Sequence, residues 1–254
     1  MYIVKHLNKL SLTHFTIRAN IDGDLDLAFL SDLHCCDNDP ILDLLRAKTP
    51  DAVLVGGDFI HNNSLYREGL DFLRQSSELC PTFCSIGNHE LRFLGDLHAA
   101  VKETGAVLLD NTSVTFRGVQ IGGLTSALKE QRNLKYFITE QVPDLNWLVD
   151  FAAGPGFKIL LCHHPEYFRK YIRPLPIQLI LSGHAHGGQW RIFNRGVYAV
   201  GQGIFPKYTG GMYENRLVVS KGLGNASRIP RINNHPEIVM LHLKAFTPEF
   251  QVED

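Results

Sequence analysis

Short apolar runs separated by amphipathic stretches set the pattern of this chain. Leu25–Leu30 (LDLAFL), Ala52–Val55 (AVLV), Thr82–Ile86 (TFCSI), Ile159–Cys162 (ILLC) and Ile177–Leu181 (IQLIL) are brief and bounded by turn residues, which predicts buried β-strands. Segments near 40–48, 66–78, 91–104 and 144–153 read as helices, the first opened by Asp39-Pro40 as an N-cap and N1 pair. This alternation predicts an α/β fold. Further along, Ser113–Phe116 and Val119–Ile121 flank an Arg117-Gly118 turn and predict a hairpin. Val197–Val200, Arg216–Ser220 and Ile238–Leu243 predict more strands, and with the hairpin they are expected to build a second sheet packed on the first. Gly201–Gly211 reads as a long loop. No repeat, low-complexity tract or Pro/Ser-rich linker interrupts the chain, so residues 1–254 are expected to form one domain.

Composition adds bounds rather than elements. With 44% hydrophobic residues in 254, the chain can bury a sizeable core. A formal charge of −1 gives no whole-chain sign of a nucleic-acid or membrane partner. The charges are nevertheless uneven. Residues 1–110 carry 16 acidic and 9 basic side chains, whereas residues 191–235 carry Arg191, Arg195, Lys207, Arg216, Lys221, Arg228 and Arg231 against Glu214 alone. That basic stretch suits either reception of an anionic substrate or an ordinary solvated surface. Five cysteines, Cys35, Cys36, Cys80, Cys84 and Cys162, have no zinc-finger spacing and fit a reducing compartment. The opening MYIVKHLNKLSLTHF is broken by Lys5, His6 and Lys9, unlike a signal peptide, and no later run approaches transmembrane length. A cytoplasmic location is therefore expected.

Each of the five apolar runs ends in residues able to bind metal: SDLH (Asp32, His34), GGD (Asp58), GNHE (Asn88, His89, Glu90), CHHP (His163, His164) and GHAH (His184, His186). In parallel α/β sheets the carboxyl ends of strands form the binding crevice, so these five tips are expected to converge. In Asp32-x-His34 and His184-x-His186, i, i+2 spacing on extended backbone turns both side chains to one side. Glycines at 57, 87 and 183 permit close backbone approach. A lone histidine pair is usually hydrogen-bonded at a surface turn. Five successive strand ends carrying the same chemistry are not explained that way. Mixed imidazole and carboxylate donors favour transition metals over Mg or Ca.

The ordered set D-x-H, G-D, G-N-H-E, H-x-P and G-H-x-H-G-G-Q resembles the calcineurin-like metallophosphoesterase superfamily, and within it the compact single-domain bacterial phosphoesterases, over about Leu25–Leu243. The resemblance implies a four-layer α/β/β/α sandwich with two mixed sheets and a dinuclear site at the carboxyl ends of the strands. It also implies that Asp32, His34 and His186 hold one divalent ion (Mn, Fe or Zn), that Asn88, His163 and His184 hold the other, and that Asp58 bridges them. His163 is preferred over His164 because the family pattern sets the ligand two residues before the proline, here Pro165. The implied reaction is phosphoester hydrolysis by in-line attack of a metal-bridging hydroxide, with His89 stabilising the transition state or protonating the leaving oxygen. Two such ions, two carboxylates and the hydroxide leave roughly one positive charge, suited to a phosphate ester.

The chain also departs from the family pattern. Many relatives have an aspartate shortly after the bridging one to orient the catalytic histidine, where this chain offers His61; Cys35 and Cys36 follow D-x-H where glycine or serine is common. A cysteine there is either a soft extra ligand or a small apolar side chain. His61, Phe205, Lys207 and Tyr208 are candidate substrate contacts. A small phosphate-ester substrate, most simply a diester, is expected. Nucleotide-sugar or lipid-linked diphosphates, or a metal-free scaffold role, are the alternatives.

Overall fold

The computed structural model describes residues 10–34, 36–62, 64–127, 142–193, 195–199, 202–225 and 230–246. Cys35, Arg228, the first nine residues, and Val200 and Gly201 of the expected strand and loop lie outside them. In chain order the described strands are β1 (Ser11–Ala19), β2 (Leu25–Leu30), β3 (Ala52–Val55), β4 (Thr82–Ser85), β5 (Val107–Leu109), β6 (Thr112–Phe116), β7 (Val119–Leu124), β8 (Phe157–Cys162) and β9 (Leu179–Ser182). They continue as β10 (Arg191–Ile192), β11 (Arg195–Gly196), β12 (Tyr198–Ala199), β13 (Gly203–Ile204), β14 (Gly211–Tyr213), β15 (Leu217–Val219) and β16 (Glu237–Ala245). The helices are α1 (Asp39–Lys48), α2 (Arg67–Leu79), α3 (Leu97–Lys102) and α4 (Leu145–Ala153).

Two six-stranded mixed sheets result, ordered β1-β16-β2-β3-β4-β5 and β14-β15-β9-β8-β7-β6. β2, β3 and β4 run parallel in the first, and β7, β8 and β9 run parallel in the second. Alternation along each strand sorts the side chains into layers. Leu27, Phe29 and Leu54 of the first sheet meet Ile159, Leu161 and Leu181 of the second in a shared core. Their neighbours point outward: Ala28, Leu30 and Val53 pack on Ile41 and Leu42 of α1 and Phe72 of α2, while Leu160 and Ile180 pack on Leu148 and Phe151 of α4. Burial on both faces is why these strands read as continuous apolar runs. The outcome is an α/β/β/α sandwich.

The strands are shared between the sheets differently from the simplest sequence reading. β8 and β9, expected with the first three runs, form the middle of the second sheet, and β16 leaves the C-terminal group to lie between β1 and β2. β1 itself was not anticipated. Helix is confined to 97–102 within the expected 91–104, because Glu90–Arg92 makes only a 3-10 turn and the Asp96 side chain caps α3 by accepting from the Ala99 N–H at 3.0 Å. The expected long loop partly pairs with the chain before it, as β12 and β13 form a short antiparallel hairpin. Among the described residues, no helix is long and apolar enough to cross a membrane.

Candidate metal centre

Asp32 and His34 follow β2, Asp58 follows β3, Asn88 and His89 follow β4, His163 and His164 follow β8, and His184 and His186 follow β9. All five tips meet where the two sheets abut. The Asp32 N–H donates to the Gly57 carbonyl at 3.1 Å and the His34 N–H to the Asp58 carbonyl at 3.3 Å, locking the first two tips together. Within the second sheet the Gly183 N–H reaches the His163 carbonyl at 3.1 Å, and across the sheets the His184 N–H lies 3.1 Å from both Asp32 carboxylate oxygens. A Cβ on Gly183 would sit 2.5 Å from Asp32 Oδ2, and one on Gly87 would sit 2.2 Å from Asp58 Oδ1, so both positions need glycine for close approach.

Asp32, His34, Asp58, His184 and His186 all have φ between 43° and 63°. Left-handed backbone is uncommon for such residues, and its concentration here marks strain held by the surrounding packing.

Among the described residues, four overlapping groups of side chains bring donor atoms together: His34, His61 and His89; His164, Glu166 and His184; and two that are buried throughout. Asp32, His34 and His186 offer donor atoms close enough to share one ion, as do Asp58, His163 and His184. The Asp58 carboxylate joins them: its Oδ2 is 3.1 Å from His163 Nε2 and 3.6 Å from His34 Nε2. Burial works to raise the Asp58 carboxyl, but the imidazoles of His163, His34 and His89 hold it well below the usual carboxylate range. Burial likewise keeps His34, His184 and His186 below the ordinary imidazole range, leaving them as neutral donors.

The donor atoms fit divalent metal ions on their hydrogen bonding alone. His34 Nε2, Asn88 Oδ1 and His163 Nε2 are buried with no hydrogen-bond partner, a costly arrangement unless a cation takes their lone pairs. His163 Nδ1 lies 2.7 Å from the Gly56 carbonyl. That oxygen can only accept, so Nδ1 carries a proton and Nε2 is the atom turned to the site. Burial works to lower this imidazole, but the Asp58 and Asp32 carboxylates push it up to about 10, and a cation takes the Nε2 lone pair by displacing the proton there. His164 lies beside His184, their ring centres 4.1 Å apart; its Nδ1 is 3.3 Å from Glu166 Oε1 and its Nε2 is buried without a hydrogen-bond partner.

His89 Nδ1 donates to the main-chain carbonyl of His61, which fixes the ring with Nε2 3.9 Å from Asp58 Oδ2. A backbone carbonyl thus stands where a carboxylate was sought. The His61 ring lies against both neighbours, stacked on His89 with ring centres 5.3 Å apart and with its Nδ1 3.5 Å from His34 Nδ1. Of the other candidate contacts, Tyr208 is buried against Phe168 and Tyr213 and presents no ring face to a ligand. Lys207 is exposed, its ammonium 5.2 Å from the Tyr208 ring centre, and Phe205 is exposed on the chain after β13.

Two residues with a part in the site carried no assignment from sequence. The buried Glu90 carboxylate accepts from the N–H groups of Asp58 and Gly87 at 2.8 Å and Ile60 at 3.0 Å, binding the β3 and β4 tips together. Burial and the Asp58 charge push its pKa up to about 8 against the pull of those donors. The position three residues after Gly87 in GNHE was the available sign. Arg231 is a half-buried cation that donates to the carbonyls of Lys221 at 2.8 Å, Gly222 at 3.1 Å and Gly224, with Nη2 3.2 Å from His186 Nδ1. Burial pulls its pKa down to about 10, so it stays charged at neutral pH.

A profile of the family described as calcineurin-like phosphoesterase matches residues 25–188, which span every motif gathered here. The chain belongs to the calcineurin-like phosphoesterase family. As a member it is a metal-dependent phosphohydrolase. It is 29% identical over 247 residues to an uncharacterized metallophosphoesterase of Campylobacter jejuni, covering 89% of this chain and 60% of that protein. It is 27% identical over 237 residues to phosphodiesterase YaeI of Escherichia coli, covering 85% of this chain and 81% of that one. With the uncharacterized metallophosphoesterase YkuE of Bacillus subtilis it shares 28% identity over 263 residues, covering 96% and 88%.

Proposed function

We propose that this phosphohydrolase cleaves phosphodiesters at a two-ion site. Asp32, His34 and His186 hold one ion, Asn88, His163 and His184 the other, and Asp58 bridges them. The observation that carries this reading is the pair of three-residue groups sharing the Asp58 neighbourhood, with His34 Nε2, Asn88 Oδ1 and His163 Nε2 buried and unpartnered. The imidazole-rich donors favour Mn, Fe or Zn. When bound, such a pair of ions supplies charge stabilisation for the phosphate oxygens and lowers the pKa of water between them.

The chain's own residues do the rest. His89, its Nδ1–H engaged by the His61 carbonyl, keeps Nε2 at the edge of the site, where it donates a proton to the leaving oxygen. Glu90 holds the backbone of Asp58 and Gly87, so the bridging carboxylate and the Asn88 turn keep their spacing. The name of the E. coli relative supports the diester preference.

The test is hydrolysis of bis-p-nitrophenyl phosphate by chelator-stripped protein titrated with Mn²⁺. Turnover that appears only with metal and saturates at two ions per chain is expected. Metal-independent turnover, or turnover saturating at one ion, overturns the two-ion reading.

A further inference from the structure

Among the described residues, seven of the thirteen exposed large apolar side chains lie on or beside the β10–β11 and β12–β13 hairpins, counting Ile232, which bridges to Trp190. Phe193 is 96% exposed, Phe205 79% and Ile204 72%. Their backbones are tied into one surface. The Val197 N–H donates to the Trp190 carbonyl at 2.8 Å, the Phe205 N–H donates to the Val197 carbonyl at 2.8 Å, and the Arg191 N–H donates to the Ile232 carbonyl at 3.0 Å. A concentration of apolar groups on water-facing hairpins carries a cost that scattered surface residues do not, and it marks an interaction face.

Charge narrows the partner. From Gly183 to Tyr213 the sequence contains no Asp or Glu, while Arg191, Arg195 and Lys207 fall within it. Arg195 and Lys207 are exposed beside the apolar tips. Aromatic and aliphatic side chains flanked by cations match the boundary of an anionic bilayer, where rings enter the headgroup layer and cations meet lipid phosphates. A second copy fits poorly, because a two-fold contact would set this basic face against itself. Phe193 and Phe205 also have φ of 48° and 51°, a conformation better suited to Gly or Asn, yet both positions hold an exposed aromatic ring.

The face is built on the metal-site turn itself. Trp190 follows His186 by four residues, the Val197 N–H donates to the Gly188 carbonyl at 3.2 Å, and Asn234 Nδ2 donates to the His186 carbonyl at 2.7 Å. We infer that the two hairpins dock this protein on an anionic lipid bilayer and present the metal site to phosphate esters of amphiphiles held there. The choice of substrate rests on the hydrolase reading above; the docking does not.

Cosedimentation tests it, using vesicles of phosphatidylcholine alone or mixed with phosphatidylglycerol, at low and high salt. The wild type and a Phe193→Asn/Ile204→Ser double variant are compared, with bis-p-nitrophenyl phosphate turnover measured on both. Both substitutions are at exposed positions, and Asn accepts the left-handed backbone at 193. The expected result is wild-type binding to phosphatidylglycerol vesicles that weakens with salt, a loss of about tenfold or more in the double variant, and equal turnover of the soluble diester. The proposal is overturned if the wild type stays in the supernatant, binds phosphatidylcholine equally well, or binds no better than the variant. A wild-type dimer that the variant dissolves assigns the face to a second copy and also overturns it. Absence of turnover in both proteins, with vesicle binding intact in the wild type and lost in the variant, overturns the diesterase reading and leaves the docking standing.

Discussion

At the scale of single residues, the main chain and the ring of His61 make separate contacts in the site. The acceptor for His89 Nδ1 is the His61 main chain, which no side-chain substitution removes, whereas the His61 ring adds a stacking contact to His89 and its Nδ1 meets His34. His61→Ala should therefore leave the pH profile of turnover unchanged and weaken metal affinity by about tenfold to a hundredfold, the usual cost of losing a ligand's hydrogen-bond partner. Isothermal titration with Mn²⁺ and a pH–rate curve check both halves; a displaced pH optimum would show that the ring, not the carbonyl, orients His89. His89→Ala should lower turnover by about 10²- to 10⁴-fold with metal content intact. Asp58→Asn removes the charge between the two groups and should cost on the order of 10³-fold, while His164→Ala retains substantial activity. Equal losses at equal metal content would refute the choice of His163 over His164. The candidate ligands were legible as a set in the sequence because strand-end motifs keep them together. The His61 carbonyl was not, because a main-chain acceptor leaves no trace in residue identity.

At the scale of elements, the tips are held by one buried carboxylate. Glu90 takes N–H groups from both sides of the β3–β4 crevice. Glu90→Gln replaces one acceptor oxygen with an amide that cannot accept, so at least one of these buried N–H groups loses its partner. Urea denaturation should show a loss of about 1–3 kcal/mol, with weaker Mn²⁺ binding alongside it. Unchanged stability would mean that these loops hold themselves. The buried strands β2, β3, β4, β8 and β9 were readable because strands covered on both faces leave uninterrupted apolar runs. β1 was passed over although its pattern was present: Thr13, Phe15, Ile17 and Ala19 alternate inward against outward His14, Thr16 and Arg18. That period of two was obscured because the stretch was weighed as a leader. β5 and β14 are three residues long, too short for any period to emerge.

At the scale of the whole molecule, the motif-bearing tips come from both sheets: Asp32, Asp58 and Asn88 from the first, His163, His184 and His186 from the second. Chain order alone does not show this division, since five similar strand ends in succession are equally compatible with one sheet. It has a thermodynamic consequence. Ions held by the proposed ligands join the sheets across the shared core of Phe29, Leu54, Ile159 and Leu181, and the unfolded chain has no such site. At free metal about a hundred times Kd the folded state gains about 2.7 kcal/mol for each ion bound, which for a chain of this size raises Tm by about 5–10 °C per ion. Thermal melts of stripped protein with added Mn²⁺ should show that rise, and Asp58→Asn should lose most of it because the bridging carboxylate is gone. A rise that persists in Asp58→Asn would place the stabilising metal elsewhere. No rise at all, with stoichiometric metal bound, would mean that the unfolded chain holds the metal as tightly as the folded one, and would overturn a site made only by bringing the two sheets together.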